Sequence, residues 1–282
     1  MIRYDFHMHS SFSGDSDTPP EQQAEEAIRL GASGICFTDH MDYDYPMIKE
    51  SGTDFLFDDA EYYTRMCELR DAYKGRLEIM IGIEYGLRNE PELIADMTAK
   101  YTRLNETYDL DFTIGSTHCL EHTDPFYAEP FWAGRTPREG LEKYFIAVAE
   151  NAKNYDCYDS AGHFDYAVRY VPLSEEWRGP ADYDPMIFSD IIDEYLKALI
   201  HKGKALECNT AGIKYGLGFT HPHEAVLKRY LELGGELLTI GSDGHKPEHI
   251  FYDFERTEDF LKSLGFKYYT IYRHHKPEFI RL

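Results

Sequence analysis

Short apolar runs alternate with longer stretches of helical periodicity along almost the whole chain. The runs ending at Phe6, Phe37, Ile83, Ile114, Ala161, Glu207 and Ile240 read as buried strands. Between them, apolar residues recur at helical spacing over residues 21–30, 58–73, 92–104, 137–153, 185–202 and 223–233. Gly31, Gly75, Gly203 and Gly234 follow four of these stretches, where a left-handed residue ends a helix. A last helix over 256–264 leads to a strand over 267–272. Strand and helix in regular alternation predict parallel strands joined by crossover helices. Seven such units and a terminal strand predict a single α/β domain over residues 1–282, folded as an irregular (β/α)7 barrel of TIM-like kind. An open doubly wound sheet is the competing arrangement. Residues 121–138, with Pro125, Pro130, Trp132, Gly134 and Pro137, break the rhythm, as do residues 170–184, with Pro172, Trp177, Gly179 and Pro180. Insertions of this length after strands tend to be functional loops, so both are expected at the barrel mouth as lids.

The residues that follow each strand share a chemistry. His7-Met8-His9, Asp15 and Asp17 follow the first, Asp39-His40 the second, Glu84 the third and His118 the fourth. His163 follows the fifth, Asn209 the sixth and Asp243-Gly244-His245 the seventh. In a parallel barrel these ends converge on one face. Singly, each has a plain structural role: Asp39-His40 as a helix cap beside a surface histidine, Asp243-Gly244-His245 as a turn. Six strand ends bearing imidazole or carboxylate together point to bound metal. Such ligands without thiolate suit zinc, iron or manganese. His7 and His9, two apart in a strand, face one side, and Glu84 has two oxygens with which to bridge two ions. The set exceeds the roughly four to six ligands of one ion, which implies two to three divalent ions. The remaining histidines have structural readings. His201 complements the dipole late in a helix, and His221 and His223 cap a helix start around Pro222. His122, His249, His274 and His275 are expected at the surface, with His122 near enough to His118 to support it from behind.

Composition narrows the partners. Hydrophobic residues make up 43% of the 282, enough for a sizeable core. The formal net charge of −22 argues against nucleic acid or an anionic membrane as partner, since both demand a basic face. A small anionic ligand would rely on locally bound cations. Five scattered cysteines without a CxxC pair read as reduced thiols of a cytoplasmic protein. The chain shows no apolar signal core and no run near ~18 apolar residues, which argues against secretion and membrane spanning. Oligomeric state has no signature here.

Several motifs recur in a fixed order: His7-Met8-His9-Ser10 with Phe12-Ser13-Gly14-Asp15, Thr38-Asp39-His40, Gly82-Ile83-Glu84, Gly115-Ser116-Thr117-His118, Gly162-His163 and Ser242-Asp243-Gly244-His245. This set resembles the PHP family, named for polymerase and histidinol phosphatase, over almost the whole chain. The resemblance implies an irregular seven-stranded barrel that usually holds three metals. Carried onto this sequence, one ion takes His7, His9, Glu84 and Asp243, and a second takes Glu84, His118 and His163. A third takes Asp15, His40 and His245. Many relatives have histidine at Asp15; carboxylate is also a competent ligand, and Asp17 is the alternative. Asp39 is implied as an orienter of a neighbouring ligand.

Within the family, Gly162-His163-Phe164-Asp165 through Arg169-Tyr170 resembles the histidinol-phosphatase branch, as does Leu206-Glu207-Cys208-Asn209-Thr210-Ala211-Gly212. The activity implied is hydrolysis of L-histidinol phosphate, a step of histidine biosynthesis. Arg169 would hold the substrate phosphate. Lys214 stands where relatives often carry a second arginine, offering charge without the bidentate fork, and Arg135 is its rival. Asp15 and His245 are candidates for protonating the leaving group. The alternative substrates are nucleotides or sugar phosphates. A nuclease or phosphotyrosine phosphatase of the same family is a further alternative. An amidohydrolase-like barrel is disfavoured by the Asp39-His40 and Asp243-Gly244-His245 pairs, and a non-catalytic metal protein by the intact ligand set.

Overall fold

The computed structural model describes residues 1–282. The strands in chain order are β1 (Tyr4–Met8), β2 (Gly34–Phe37), β3 (His40–Met41), β4 (Glu78–Gly86), β5 (Phe112–Ser116), β6 (Ser160–Ala161), β7 (Ala205–Asn209) and β8 (Leu238–Gly241). Apart from β3, each pairs in parallel with the next, in the order β1-β2-β4-β5-β6-β7-β8. The order never reverses, so the doubly wound alternative is excluded and the sheet curls into a nearly closed seven-stranded barrel, as the alternation predicted. The strands are buried almost end to end because helices cover the sheet. β3 resumes the direction of β2 after Thr38-Asp39 and lays His40 beside Glu84 of β4.

The seam between the last strand and the first is thin. Met8 bridges Gly244 in parallel, and the Asp243 amide donates to the His7 carbonyl at 2.8 Å. The His9 amide donates to the Gly244 carbonyl at 3.0 Å. Only glycine fits at 241, where an added Cβ would stand 2.3 Å from the His7 Cβ. The buried Asp5 carboxylate ties the same edge by accepting from the Ser242 amide and hydroxyl, at 3.0 and 2.6 Å, and from the Phe251 amide at 2.9 Å.

Helices α1 (Pro20–Arg29), α2 (Ile48–Ser51), α3 (Asp59–Tyr73), α4 (Pro91–Thr107), α5 (Ala128–Trp132), α6 (Pro137–Asn154), α7 (Ser189–Lys202), α8 (Ala211–Lys214), α9 (Glu224–Glu232) and α10 (Phe254–Leu264) complete the architecture. Proline opens α1, α4 and α6, where its missing N–H goes unneeded. α6 starts with a full capping box between Thr136 and Glu139. The helix expected over 185–202 starts instead as a 3-10 turn, Pro185–Phe188, and becomes α-helical at Ser189. The expected terminal strand forms as β9 (Tyr268–Arg273), but it pairs antiparallel with β10 (Lys276–Arg281) rather than joining the barrel. Its turn, His274-His275, has both residues left-handed, the geometry that two-residue hairpins favour. This hairpin packs on the end of the barrel away from the site: the ring of Tyr272 lies 5.1 Å from that of Phe112, and the Leu238 amide donates to Thr270 Oγ1. All five cysteines are unpaired, and no helix among the described residues is long and apolar enough to cross a membrane.

Thr136→Ala removes one half of the capping box and should lower stability by about 1 kcal/mol, read from denaturant unfolding. No shift would mean that packing alone fixes the start of α6.

Candidate metal centre

Glu84, fully buried near the end of β4, is the hub of the site. Its Oε2 lies 3.2 Å from His7 Nε2, 3.5 Å from His9 Nε2 and 3.0 Å from His40 Nδ1. Its Oε1 lies 3.0 Å from His163 Nε2 and 3.4 Å from His118 Nε2. Asp243 Oδ1 stands 3.4 Å from His9 Nε2 and 3.5 Å from His245 Nδ1. On the solvent side, Asp15 Oδ2 is 3.1 Å from His245 Nε2 and 3.8 Å from His40 Nε2. Strand ends from across the barrel thus deliver six imidazoles and three carboxylates to one spot. His7, Glu84 and Asn209 lie within strands rather than just beyond them, because β1, β4 and β7 run longer than the apolar runs suggest.

The rings are held from behind. His7 Nδ1 is 2.6 Å from Glu207 Oε1, His118 Nδ1 is 2.6 Å from Asp42 Oδ2, and His9 Nδ1 is 2.9 Å from Ser13 Oγ. With Nδ1 engaged, each ring turns Nε2 toward Glu84, the arrangement by which an outer carboxylate fixes tautomer and orientation of a ligating histidine. Asp39 works one layer out: it accepts from the Ser10 and Ser13 amides and from both hydroxyls, and so positions the Ser13 oxygen that meets His9. A side chain at Gly86 would collide with the Asp42 carboxylate, so that glycine makes room for the partner of His118.

Burial opposes ionisation of Glu84, yet His7, His40 and His118 hold its carboxyl well below the usual range. Asp243 is treated the same way by His7, His9 and His245, and Asp15, partly desolvated by its neighbours though 40% exposed, is lowered by His40 and His245. Burial likewise opposes protonation of His7, His118 and His40, but the carboxylates around them win. They raise His7 and His118 well above the ordinary imidazole value, and His40 rises to about 9 beside Glu84 and Asp15. His9 goes the other way, pushed down by burial and by His245 and His40. The carboxylates demand cations, and the imidazoles meet that demand only by taking up protons. Divalent ions meet it while leaving the rings neutral. The donor set fits them. His7 Nε2, His9 Nε2, His40 Nδ1, His245 Nε2 and Glu84 Oε2 are buried without a hydrogen-bond partner. Triplets of ligand atoms within 4.8 Å of one another occur in His7/His9/Glu84, His40/Glu84/His118, His7/His163/Asp243 and His9/His40/His245.

The cluster opens into a cavity of about 610 Å³, lined by Asp15, His118, His163, Arg169, Asp243 and His245 among others. The Arg169 guanidinium lies 3.7 Å over the Tyr215 ring. Other expected contacts lie elsewhere. Lys214 donates to the backbone carbonyls of Asp243 and Ser242, at 2.8 and 3.2 Å, so its charge steadies the ligand loop. Arg135 points to the Phe131 carbonyl and to Glu121. Asp17 is exposed and makes no ion pair with the site histidines among the described residues. His122 is 63% exposed and meets Arg88, Glu90 and Glu92, while Asp42 provides the support expected of it. His223 caps α9 as expected, but His221 is buried against Asp165 because the chain folds back on β7 through paired Asn209 and His221 amides. His249 lines the cavity. Glu207 and Asp42 were missed as site residues. Glu207 had a signal, an acid in the centre of an apolar strand; Asp42 had none short of the fold.

A parallel barrel with imidazoles and carboxylates gathered at its carboxyl rim defines a metal-binding (β/α) barrel. The PHP domain model matches residues 5–211, and the chain belongs to that family. A histidinol-phosphatase from Lactococcus lactis subsp. lactis is 30% identical over 274 residues, covering 94% of this chain and 93% of its own length. The histidinol-phosphatase of Bacillus subtilis is 26% identical over 286 residues, covering 90% of this chain and 98% of its own. The crystal structure of histidinol phosphate phosphatase from Lactococcus lactis, complexed with zinc, L-histidinol and phosphate, superposes with a TM-score of 0.84 at 28% identity over 98% of both chains.

Asp42→Asn should weaken metal binding by about 10–100-fold, measured by titrating the metal-free protein. Unchanged affinity would show that His118 needs no orienting partner.

Proposed function

We infer that the chain is a metal-dependent phosphomonoesterase that hydrolyses L-histidinol phosphate to histidinol and inorganic phosphate. The observation that carries this reading is the ligand cluster opening onto a cavity that also holds Arg169, in a chain similar throughout to histidinol-phosphatases. His7, His9, Glu84 and Asp243 would hold one ion, Glu84, His118 and His163 a second, and Asp15, His40 and His245 a third. Divalent zinc, iron or manganese at these ligands would supply Lewis-acid charge toward the phosphoryl oxygens and lower the pKa of water.

The protein's own groups do the rest. Arg169 forms no ion pair among the described residues and rests on an aromatic face, so its charge is free for phosphate oxygens. Its guanidinium offers the planar fork that matches them. As the bond from phosphorus to the alcohol oxygen breaks and water adds to phosphorus, negative charge grows on the leaving oxygen. That oxygen takes its proton from solvent water or from whichever of Asp15 and His245 holds no metal, and Asp15, whose carboxyl His40 and His245 hold low, is the weaker donor. Glu207, Asp42 and Ser13 hold the imidazoles still throughout.

Phosphate release from histidinol phosphate, nucleoside monophosphates, sugar phosphates and p-nitrophenyl phosphate tests the reading, with metal content measured on the same protein. Preference for histidinol phosphate by orders of magnitude is expected; a preference for nucleotides or sugar phosphates overturns the substrate, and no turnover by metal-replete protein overturns the reaction. Arg169→Ala should lower kcat/KM by about 10²–10³-fold, the usual effect of deleting one charge-stabilising donor, and a near-normal value would remove Arg169 from the site.

A further inference from the structure

Where β5 leaves the sheet, its ladder with β4 gives up a bond, and a side chain takes the place of that bond. The Leu87 amide, just past β4, donates to the Ser116 carbonyl at 2.7 Å. In a regular parallel ladder the Leu87 carbonyl would then accept from the amide two residues beyond Ser116, that of His118. Among the described residues no such bond forms, and the chain has turned aside to carry His118 toward Glu84. The Leu87 carbonyl accepts instead from the Asn151 carboxamide of α6, whose Nδ2 lies 3.3 Å from it and 2.8 Å from Thr117 Oγ1. One NH2 group thus ties the segment after the Glu84 strand to the residue before His118. Tyr144, about two turns earlier on the same face of α6, adds a bond from its hydroxyl to the Thr117 carbonyl at 2.9 Å.

Packing alone does not account for an asparagine here. Asn151 is 1% exposed, on a buried helix face that is otherwise apolar but for the Tyr144 hydroxyl. Its Oδ1 is buried without a hydrogen-bond partner, a cost that an apolar residue of similar shape would not carry. We propose that Asn151 is a positioning residue of the metal centre: its carboxamide stands in for the lost ladder bond and sets how closely His118 approaches the Glu84 carboxylate. The two side chains stand 3.4 Å apart, Nε2 to Oε1. Asp42 fixes how the His118 ring is turned, and Asn151 fixes where its backbone stands. The inference rests on the reading of His118 as a metal ligand and not on the choice of substrate.

The test titrates zinc into the metal-free protein against a competing chelator and needs no turnover. His118→Ala identifies the ion in question by losing it. Asn151→Leu keeps much of the shape and removes the donor. It should weaken that same ion by about 10–100-fold, the usual effect of losing a group that orients a ligand, and leave the remaining zinc at wild-type affinity. Ala149→Gly is the comparison, since glycine destabilises the same helix without removing a bond to Leu87 or Thr117. Wild-type zinc binding by N151L, or a loss spread over all ions as in A149G, overturns the proposal. If H118A loses an ion and N151L does not, only the role of Asn151 falls; if H118A binds zinc as the wild type does, His118 is no ligand and both readings fall. Should N151L fail to fold, Thr117→Val decides by removing the Oγ1 acceptor. Selective weakening of the ion that H118A loses supports the proposal, and wild-type binding overturns it.

Discussion

A fully buried carboxylate surrounded by imidazoles is the constraint on which the rest of this structure depends. Glu84 touches His7, His9, His40, His118 and His163, which come from β1, β3 and the loops after β1, β5 and β6. An anion cannot remain in such a place without cations beside it, so the elements that carry those histidines must meet around one point. The break between β2 and β3, the glycines at 86 and 241 and the thin seam are local departures from a regular barrel that allow this meeting. The αL backbone of Asp243 is another, a strained conformation held at a ligand by the seam.

The two sides of the cavity arise from different parts of the fold. The imidazoles and carboxylates of the cluster sit on strand ends and on the short segments just beyond them. Asp124 and its aromatic neighbours come from loops that the barrel merely supports, Phe126 being largely exposed. Connections on a rigid scaffold commonly carry function, and here they supply the aromatic part of the cavity wall.

The barrel and the side chains gathered at its rim were legible in the sequence for a simple physical reason. Parallel strands buried on both faces leave continuous apolar runs, and a histidine or acid that ends such a run stands out against it. Glu84, directly after the run ending at Ile83, could be read for this reason, whereas Asp15 lies in a polar loop beyond β1 and was singled out by its motif; the structure brings Asp15, not Asp17, within ion-pair distance of His245 and His40. What escaped reading was set by contacts between segments remote in the chain. Asp42 looks like any loop acid until His118 is beside it, 76 residues on. Lys214 has the right charge for phosphate, but the backbone carbonyls of the last ligand loop claim it. His221 sits next to a proline at a helix start, which suggests a cap, yet the fold turns it inward to Asp165. The hairpin of β9 and β10 lacked a signal because its turn is made by two histidines instead of the asparagine or glycine such turns favour.

The seam has a temporal meaning as well as a spatial one. Its two edges lie 237 residues apart, as the bond from Ser242 to Asp5 records. A ribosome adding about 5–20 residues per second would release the second edge roughly 10–50 s after the first. For that interval His7 and His9 stand on an edge with no partner, their carboxylate Asp243 not yet made. Until then the nascent chain lacks Asp243 and His245, and the final strand acts as a clasp that completes the cluster last.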